Sequence, residues 1–201
     1  MKRTFARTLI SAAIATALGT SQAAEPPIRL RGTIEKVDAK TLVVKAQDGK
    51  VVPLAFGDAV RVDEVLPVDP NAIQEGTFVG TTAVPRPDGS LSAVEVHVFP
   101  ESARGTGEGH RPWDLRPNST MTNATVEKIT PGSNDRTMTL RYKDGEKVIR
   151  VPNGVPIVTM KPADRSLLVA GAKVIVTEQV VNGQPTAARV LVGRNGFEPP
   201  M

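Results

Sequence analysis

The side chains best suited to chemistry lie in residues 101–118, a segment rich in glycine, proline and arginine. It holds the only tryptophan and one of the two histidines of the chain. Guanidinium groups make paired hydrogen bonds with carboxylate or phosphate oxygens, so arginines beside an aromatic wall suit an anionic ligand. The candidate residues for binding a small anionic ligand or an unknown partner protein are Arg104, His110, Arg111, Trp113 and Arg116.

Two other interpretations of this segment stay open. In the first, it is a flexible tether, and Trp113 and Leu115 pack against apolar surface. In the second, it holds a metal site for copper, zinc or nickel, in which His110 and Asp114 supply nitrogen and oxygen ligands and Met121 a soft sulfur. No pair of histidines has the spacing that organises a zinc or copper centre.

Enzyme chemistry has little support in this sequence. There is no cysteine, there are two histidines, and no Gly-x-Ser-x-Gly motif marks a nucleophile. Asp63 and Glu64 are neighbours on a predicted strand, so their carboxylates point to opposite sides. The same alternation places His97 and Glu95 together on the face we expect to meet solvent. We therefore expect a non-enzymatic binding or scaffolding protein without a cofactor.

The first 23 residues have the pattern of a cleavable signal peptide. Lys2, Arg3 and Arg7 precede an apolar run over residues 9–18, and residues 21–23 supply the small side chains of a cleavage site. Ala24 is the alternative cleavage position. The apolar run is shorter than the ~20 residues that cross a bilayer, and no second long apolar segment follows. We expect a periplasmic protein with no membrane span.

The net charge gives little support for a nucleic-acid partner. Three of the 25 lysines and arginines lie in the predicted signal, whereas all 21 acidic residues follow it. The remaining chain is therefore nearly neutral. Aromatic residues make up 3% of the chain, too few to build stacking platforms for bases.

An internal duplication organises the rest of the chain. Corresponding segments occur in the same order along both halves: residues 32–37 and 124–129, 41–45 and 137–141, Gly76 and Gly171, and 93–98 and 187–192. These matches predict a first repeat at 28–100, a connector at 101–118, a second repeat at 119–193 and a frayed tail at 194–201.

Each repeat has the pattern of short β-strands. β-Branched residues alternate with polar ones, and Asp-Gly or Asn-Gly pairs such as Asp48-Gly49 and Asn182-Gly183 separate the runs as hairpin turns do. A short helical turn is predicted at 69–73 and another at 162–167. So few strands protect their edges best by curling into a barrel. We expect an all-β protein of two tandem small OB-like antiparallel barrels, each with five to six strands and a short helical turn.

The stretch from Gly32 through residues 76–80 to residues 93–96 resembles a family of bacterial exported domains of unknown function. Repeats of that family open with a Gly-Thr-Val/Ile strand, carry an Asp-Gly or Asn-Gly hairpin and close with an Ala-x-x-Val/Ile strand. The second copy is similar but has Ala124 where the glycine is expected. The resemblance implies a small β-barrel and transfers no catalytic or binding residue. Relatives are also associated with metal transport, which a chain without membrane spans cannot perform as a permease.

Overall fold

The computed structural model describes residues 28–201, so the predicted signal at residues 1–23 lies outside the described residues. The described part is built from strands and short 3₁₀ turns and contains no α-helix. The strands are β1 (Ile28–Val37), β2 (Thr41–Ala46), β3 (Val51–Ala55), β4 (Arg61–Pro67), β5 (Phe78–Pro85), β6 (Leu91–Val98), β7 (Gly109–Pro112), β8 (Thr120–Pro131), β9 (Asp135–Tyr142), β10 (Gly145–Pro152), β11 (Ile157–Pro162), β12 (Lys173–Val181) and β13 (Gln184–Gly193). The all-β prediction is confirmed.

Alternating apolar residues explain why these segments are strands. In β2, Leu42 and Val44 are fully buried, while Thr41 before them and Val43 between them are partly exposed. In β9, Met138 and Leu140 follow the same rule. A side-chain period of two puts each buried pair on one face of its sheet, which then has to close over a core.

Five strands form a closed barrel. β5 pairs with β6 and β8, β8 with β9, and β9 with β10, all antiparallel. The circle closes where β10 runs parallel to β6 through the pairs Ile149–Leu91 and Arg150–Ser92. Val79, Val96 and Leu140 are among the residues that fill this closed barrel.

β1, β2, β3, β12 and β13 form a second five-strand group with the same cyclic order. β12 pairs with β1 and β13, and β1 and β3 both pair with β2. β13 meets β3 at the single parallel pair Thr186–Ala55. The core of this second group contains Leu42, Val44 and Val190.

The strands of the two predicted repeats are exchanged between these groups, which differs from the expected arrangement. Residues 28–100 and 119–193 were expected each to close a barrel of their own. Instead, hairpin β5–β6 of the first repeat completes the barrel begun by β8, β9 and β10, and hairpin β12–β13 completes the group begun by β1, β2 and β3. The two predicted repeats have similar apolar patterns and would offer similar edges to either hairpin, so pattern alone does not decide the partner.

β4 and β11 explain how the exchange is made. These strands cross the middle of the molecule as an antiparallel pair, with Val65 opposite Met160 and Glu64 opposite Lys161. β4 also runs parallel to β13, and β11 runs parallel to β6. β4 therefore connects the group that contains β1, β2 and β3 to the barrel that contains β5 and β6. β11 connects the barrel that contains β8, β9 and β10 to the group that contains β12 and β13.

The irregularities of the ladders fall at positions that the repeat alignment pairs. The β1–β2 ladder is bulged between Ile34 and Lys36, and the β8–β9 ladder between Val126 and Lys128. The β5–β6 and β12–β13 hairpins are bulged at Thr82/Ala83 and Thr177/Glu178. Bulges bend and twist a strand at a fixed point, so both groups curl in the same place.

Both predicted helical turns are confirmed as 3₁₀ turns, at Pro70–Ala72 and Arg165–Leu167. The carboxylates of Asp69 and Asp164 accept the backbone N–H two residues on, each at 2.7 Å. The two turns thus begin in the same way, with an acidic side chain as the cap.

The connector and the tail have more structure than the sequence predicted. Residues 109–112 form β7, which pairs with β8. The tail is not frayed, because Arg194 pairs with the buried Glu64 at 2.6 Å and Met201 is only 7% exposed. Nε of Arg31 donates to the carbonyl oxygen of Met201 at 3.0 Å. No helix within residues 28–201 has the length and apolar character needed to cross a bilayer.

Candidate functional site

A cleft of about 210 Å³, the central cleft, lies where the connector meets the two five-strand groups. Side chains from all three parts of the fold line it. They include Arg29, Ile175, Arg189 and Leu191 from the second group, His97, Met121 and Asn123 from the closed barrel, Arg111 and Trp113 from the connector, and Met160 and Met201. The site is therefore formed by strands that are far apart in the chain together with the connector.

β7 positions Arg111 in the central cleft. Arg111 is paired with Met121 of β8, and both side chains line the cleft. Its Nη1 donates to the carbonyl oxygen of Gly107 at 2.7 Å, and its guanidinium lies 5.4 Å from the ring centre of Trp113. Burial and the nearby charge of Arg29 lower the pKa of Arg111.

The other two arginines of the cleft have carboxylate partners. Arg189 pairs with the buried Asp63 at 2.7 Å, and Arg29 lies 3.5 Å from Asp114 while stacking 3.8 Å from the Trp113 ring centre. Arg111 has no carboxylate within ion-pair distance among residues 28–201. It is the one cleft arginine whose charge is left for a ligand.

Glu95 and His97 are buried, so the predicted solvent-facing position of this pair is wrong. Val96 between them lies in the barrel core, which sends both side chains to the outer face as strand alternation requires. That face is covered, and His97 is 5% and Glu95 0% exposed. The strand pattern gave the correct face, but side chains such as Thr82 and Phe99 cover it and make it an interior surface.

Hydrogen bonds from one residue hold Glu95 in place. The backbone N–H and the hydroxyl of Thr82 both donate to Oε1 of Glu95, at 3.0 and 2.7 Å. The β5–β6 bulge falls at Thr82, where it frees this N–H from the regular ladder. Oε2 of Glu95 lies 3.6 Å from Nδ1 of His97.

Gly80 makes room for the His97 ring. A Cβ at this position would overlap the imidazole of His97 and the Oδ1 atom of Asn123. The ring of Phe99 contacts the other side of His97 edge-on, with ring centres 4.5 Å apart. His97 is therefore fixed by its neighbours on both sides.

Three side chains that line the central cleft carry buried polar atoms without a hydrogen-bond partner among the described residues. These atoms are Nδ1 of His97, Oδ1 of Asn123 and Nε1 of Trp113. A buried polar group without a partner costs roughly 1–3 kcal/mol. Such groups concentrate where proteins bind ligands, so they add to the case for this cleft.

The cleft contains two of the five residues predicted to bind a ligand, Arg111 and Trp113. His110 lies on the opposite face of β7, where Nδ1 is 2.8 Å from the hydroxyl of Thr122. Arg104 pairs with Glu101 at 2.6 Å, and Arg116 is exposed outside the cleft. Sequence reasoning missed the cleft residues Arg29, His97, Asn123 and Arg189, which come from strands far apart in the chain.

The predicted metal ligands are not arranged as one site. The carboxylate of Asp114 accepts hydrogen bonds from Arg31, and although burial opposes the effect, Arg31 and Arg29 lower its pKa. Burial, with Lys147 and Arg111, lowers the pKa of His110. Only Met121 of the three lines the cleft. Within the described residues, no three histidine or acidic side chains form a metal-binding group.

Methionine is concentrated in the central cleft. Met121, Met160 and Met201 all line it, whereas Met138 is buried in the core of the closed barrel. Sδ of Met160 lies 3.6 Å from Nη2 of Arg189. Flexible, polarizable thioethers give the cleft an apolar lining that can adapt to different shapes.

A scan against protein-family models finds no match for this chain, and searches of curated proteins and of solved structures find none either.

Proposed function

We propose that this chain is an exported, non-enzymatic binding protein whose ligand is a small anion held in the central cleft. The observation that carries the proposal is Arg111, a guanidinium in a lined cleft with no carboxylate within ion-pair distance among the described residues. A half-buried cation gains most from an anion that reaches it, because low local dielectric strengthens the interaction.

The surroundings of Arg111 support the same proposal. Trp113 offers an aromatic wall, and its buried Nε1 has no hydrogen-bond partner among the described residues, so it is a donor that an anionic group could satisfy. Ligand sites in proteins combine an apolar lining with a few placed polar groups in this way. The connector, which was predicted as the interaction surface, supplies both Arg111 and Trp113 to the cleft.

Titration of the full chain with sodium salts of acetate, benzoate and phosphate tests this function. Trp113, the only tryptophan of the chain, reports binding by its fluorescence. We expect a saturable response to at least one anion that Arg111→Gln abolishes. Arg141→Gln is the matched control, because Arg141 is an exposed arginine of β9 that pairs with Glu127 at 2.7 Å. Absence of a saturable response to every anion would refute the proposal.

Metal handling is the second candidate, and the methionine lining favours it. Thioether and imidazole groups bind soft cations such as Cu(I), so the ligands would be His97 with Met121, Met160 and Met201 in place of a site centred on His110. Titration with Ag(I), a soft monovalent cation, tests this candidate. Met121→Leu should weaken binding, whereas Met138→Leu in the barrel core should not. Equal Ag(I) affinity in both variants would count against a cleft site.

The proposal extends to the organisation of the chain. We propose that the two groups are two copies of one OB-like barrel module related by duplication, with their closing hairpins exchanged. The paired bulges and the paired 3₁₀ turns support this origin. We also propose a periplasmic location through cleavage of residues 1–23, which amino-terminal sequencing of the protein recovered from periplasm would test.

A further inference from the structure

We infer that the ligand of the central cleft is a small aromatic monocarboxylate. This inference rests on the anion-binding function proposed above, because it names the chemical class of that ligand. It follows from the charge of the cleft, the free donors of Arg111, and the size and lining of the space.

The guanidinium of Arg111 selects a ligand with an anionic group. Three arginines line the cleft; Arg189 shares Asp63 with Arg61, and Arg29 shares Asp114 with Arg31. Arg111 has no carboxylate within ion-pair distance among residues 28–201. A single carboxylate on the ligand is enough to pair with that guanidinium.

The donors of Arg111 suit the shape of a carboxylate. A guanidinium has five N–H groups, and within residues 28–201 that of Arg111 makes one hydrogen bond, from Nη1 to the Gly107 carbonyl. Donors on the other nitrogens stay free, so a planar carboxylate can accept two parallel hydrogen bonds. Lysine could not provide this fork.

The volume and lining of the cleft select an aromatic body. An engineered cavity of about 150 Å³ is known to hold benzene, so a cleft of about 210 Å³ has room for one ring and a carboxylate. Apolar side chains face this space from several directions, namely Met121, Met160, Ile175, Leu191 and Met201. Sulfur–aromatic contacts add to the apolar burial of a ring by roughly 0.3–1.5 kcal/mol each.

Isothermal titration of the full chain with four probes tests the inference. Benzoate carries ring and charge, benzyl alcohol the ring alone, acetate the charge alone, and phosphate a higher charge without the ring. We expect benzoate to bind at a ratio of one to one and at least tenfold more tightly than each of the other three.

Variants of Arg111 link this preference to the cleft. Arg111→Gln should weaken benzoate binding at least tenfold, and Arg111→Lys should give an intermediate loss because it keeps the charge but removes the fork. Arg141→Gln should leave the affinity unchanged. Thermal unfolding of each variant checks that the fold is intact. If Arg111→Gln does not fold, Arg111→Lys alone still decides, because unchanged benzoate affinity there would contradict the fork.

The failures of the two proposals are distinguishable. If acetate or phosphate binds as tightly as benzoate through Arg111, the aromatic class is wrong and anion binding stands. If benzyl alcohol binds as tightly as benzoate, the charge argument is wrong. If none of the three anions binds, both proposals are wrong.

Discussion

Engineered cysteine pairs provide the sharpest test of the exchanged hairpins. The chain contains no cysteine, so any disulfide reports the introduced pair alone. One double variant, Ala55→Cys with Thr186→Cys, joins the residues that pair between β3 and β13. The other, Ala55→Cys with Ser92→Cys, joins the residues that would pair if each repeat closed on itself, because Ser92 and Thr186 occupy corresponding positions in the two closing hairpins.

The geometry decides which pair can oxidise. Residues paired across neighbouring strands lie about 4.8 Å apart, inside the roughly 4.4–6.8 Å range that a disulfide spans between Cα atoms. Ser92 instead pairs with Arg150 on the closed barrel. We therefore expect the Ala55–Thr186 pair to form a disulfide in air and the Ala55–Ser92 pair to stay reduced.

The size of the stabilisation follows from the length of chain that is closed. A disulfide from position 55 to position 186 closes a loop of about 130 residues, which in the chain-entropy model stabilises the fold by about 5 kcal/mol, less any strain. For a folded part of this size, each kcal/mol raises the Tm by about 2–4 °C, so the oxidised variant should melt roughly 10–20 °C higher than its reduced form.

Mobility on non-reducing gels and thermal unfolding with and without reductant measure these effects. Size-exclusion chromatography at low protein concentration excludes cross-links between chains. Spontaneous oxidation of the Ala55–Ser92 pair, with the Ala55–Thr186 pair left reduced, would refute the exchanged topology and the central cleft with it.

Three further predictions concern the surroundings of the cleft. Gly80→Ala should destabilise the protein by about 1–3 kcal/mol in urea unfolding, because the new methyl group overlaps His97. Gly57→Ala is the control, since a methyl group there has open space and should not change the free energy of unfolding. If Gly80→Ala costs the same in a His97→Ala background, overlap with His97 is not the cause. Asp63→Ala should cost about 1–2 kcal/mol in the same assay because Asp63 is the buried partner of both Arg61 and Arg189, whose side chains are partly exposed. A loss well under 1 kcal/mol would contradict that role. The hydrogen bond from Arg194 lowers the pKa of Glu64 from 4.5 to about 2. The contribution of the Glu64 carboxylate to the free energy of unfolding is therefore fully present above pH 4.5 and is lost as the pH falls through 2. The Tm of Glu64→Gln should therefore depend less on pH in this window than the Tm of the unmodified protein. Equal slopes of Tm against pH for the two proteins would refute the role of Glu64.

The candidate site was predictable only where its residues are close together in the chain. Arg111 and Trp113 stood out because a tryptophan and arginines occur together in an unusual segment. Arg29 and Arg189 carried no such signal, since each is one polar residue on an alternating strand. His97 was noticed as one of two histidines, but its burial depends on tertiary neighbours such as Gly80 of β5, whose missing Cβ makes room for the ring.

The exchange of hairpins shows the same limit at the level of the fold. Alternation, turn dipeptides and bulge positions are properties of neighbouring residues, so β5–β6 could be predicted as a hairpin from its own sequence. Its partner strand could not, because the closing edges of β3 and β10 belong to two predicted repeats with similar residue patterns. The direction taken by β4, which pairs with β11 across the centre, decides between them.

By itself, the sequence determined that residues 28–201 fold as short strands with capped 3₁₀ turns, because side-chain period, turn chemistry and caps act within a few residues. Only the tertiary structure decided that strands of one half close the barrel of the other, that Glu95 and His97 are interior, and that Arg29, Arg111 and Arg189 share one cleft. These features depend on which surfaces pack together. Because hydrophobic attraction is non-directional, an apolar pattern does not specify which apolar face will be its partner. The central cleft forms only where those surfaces come together.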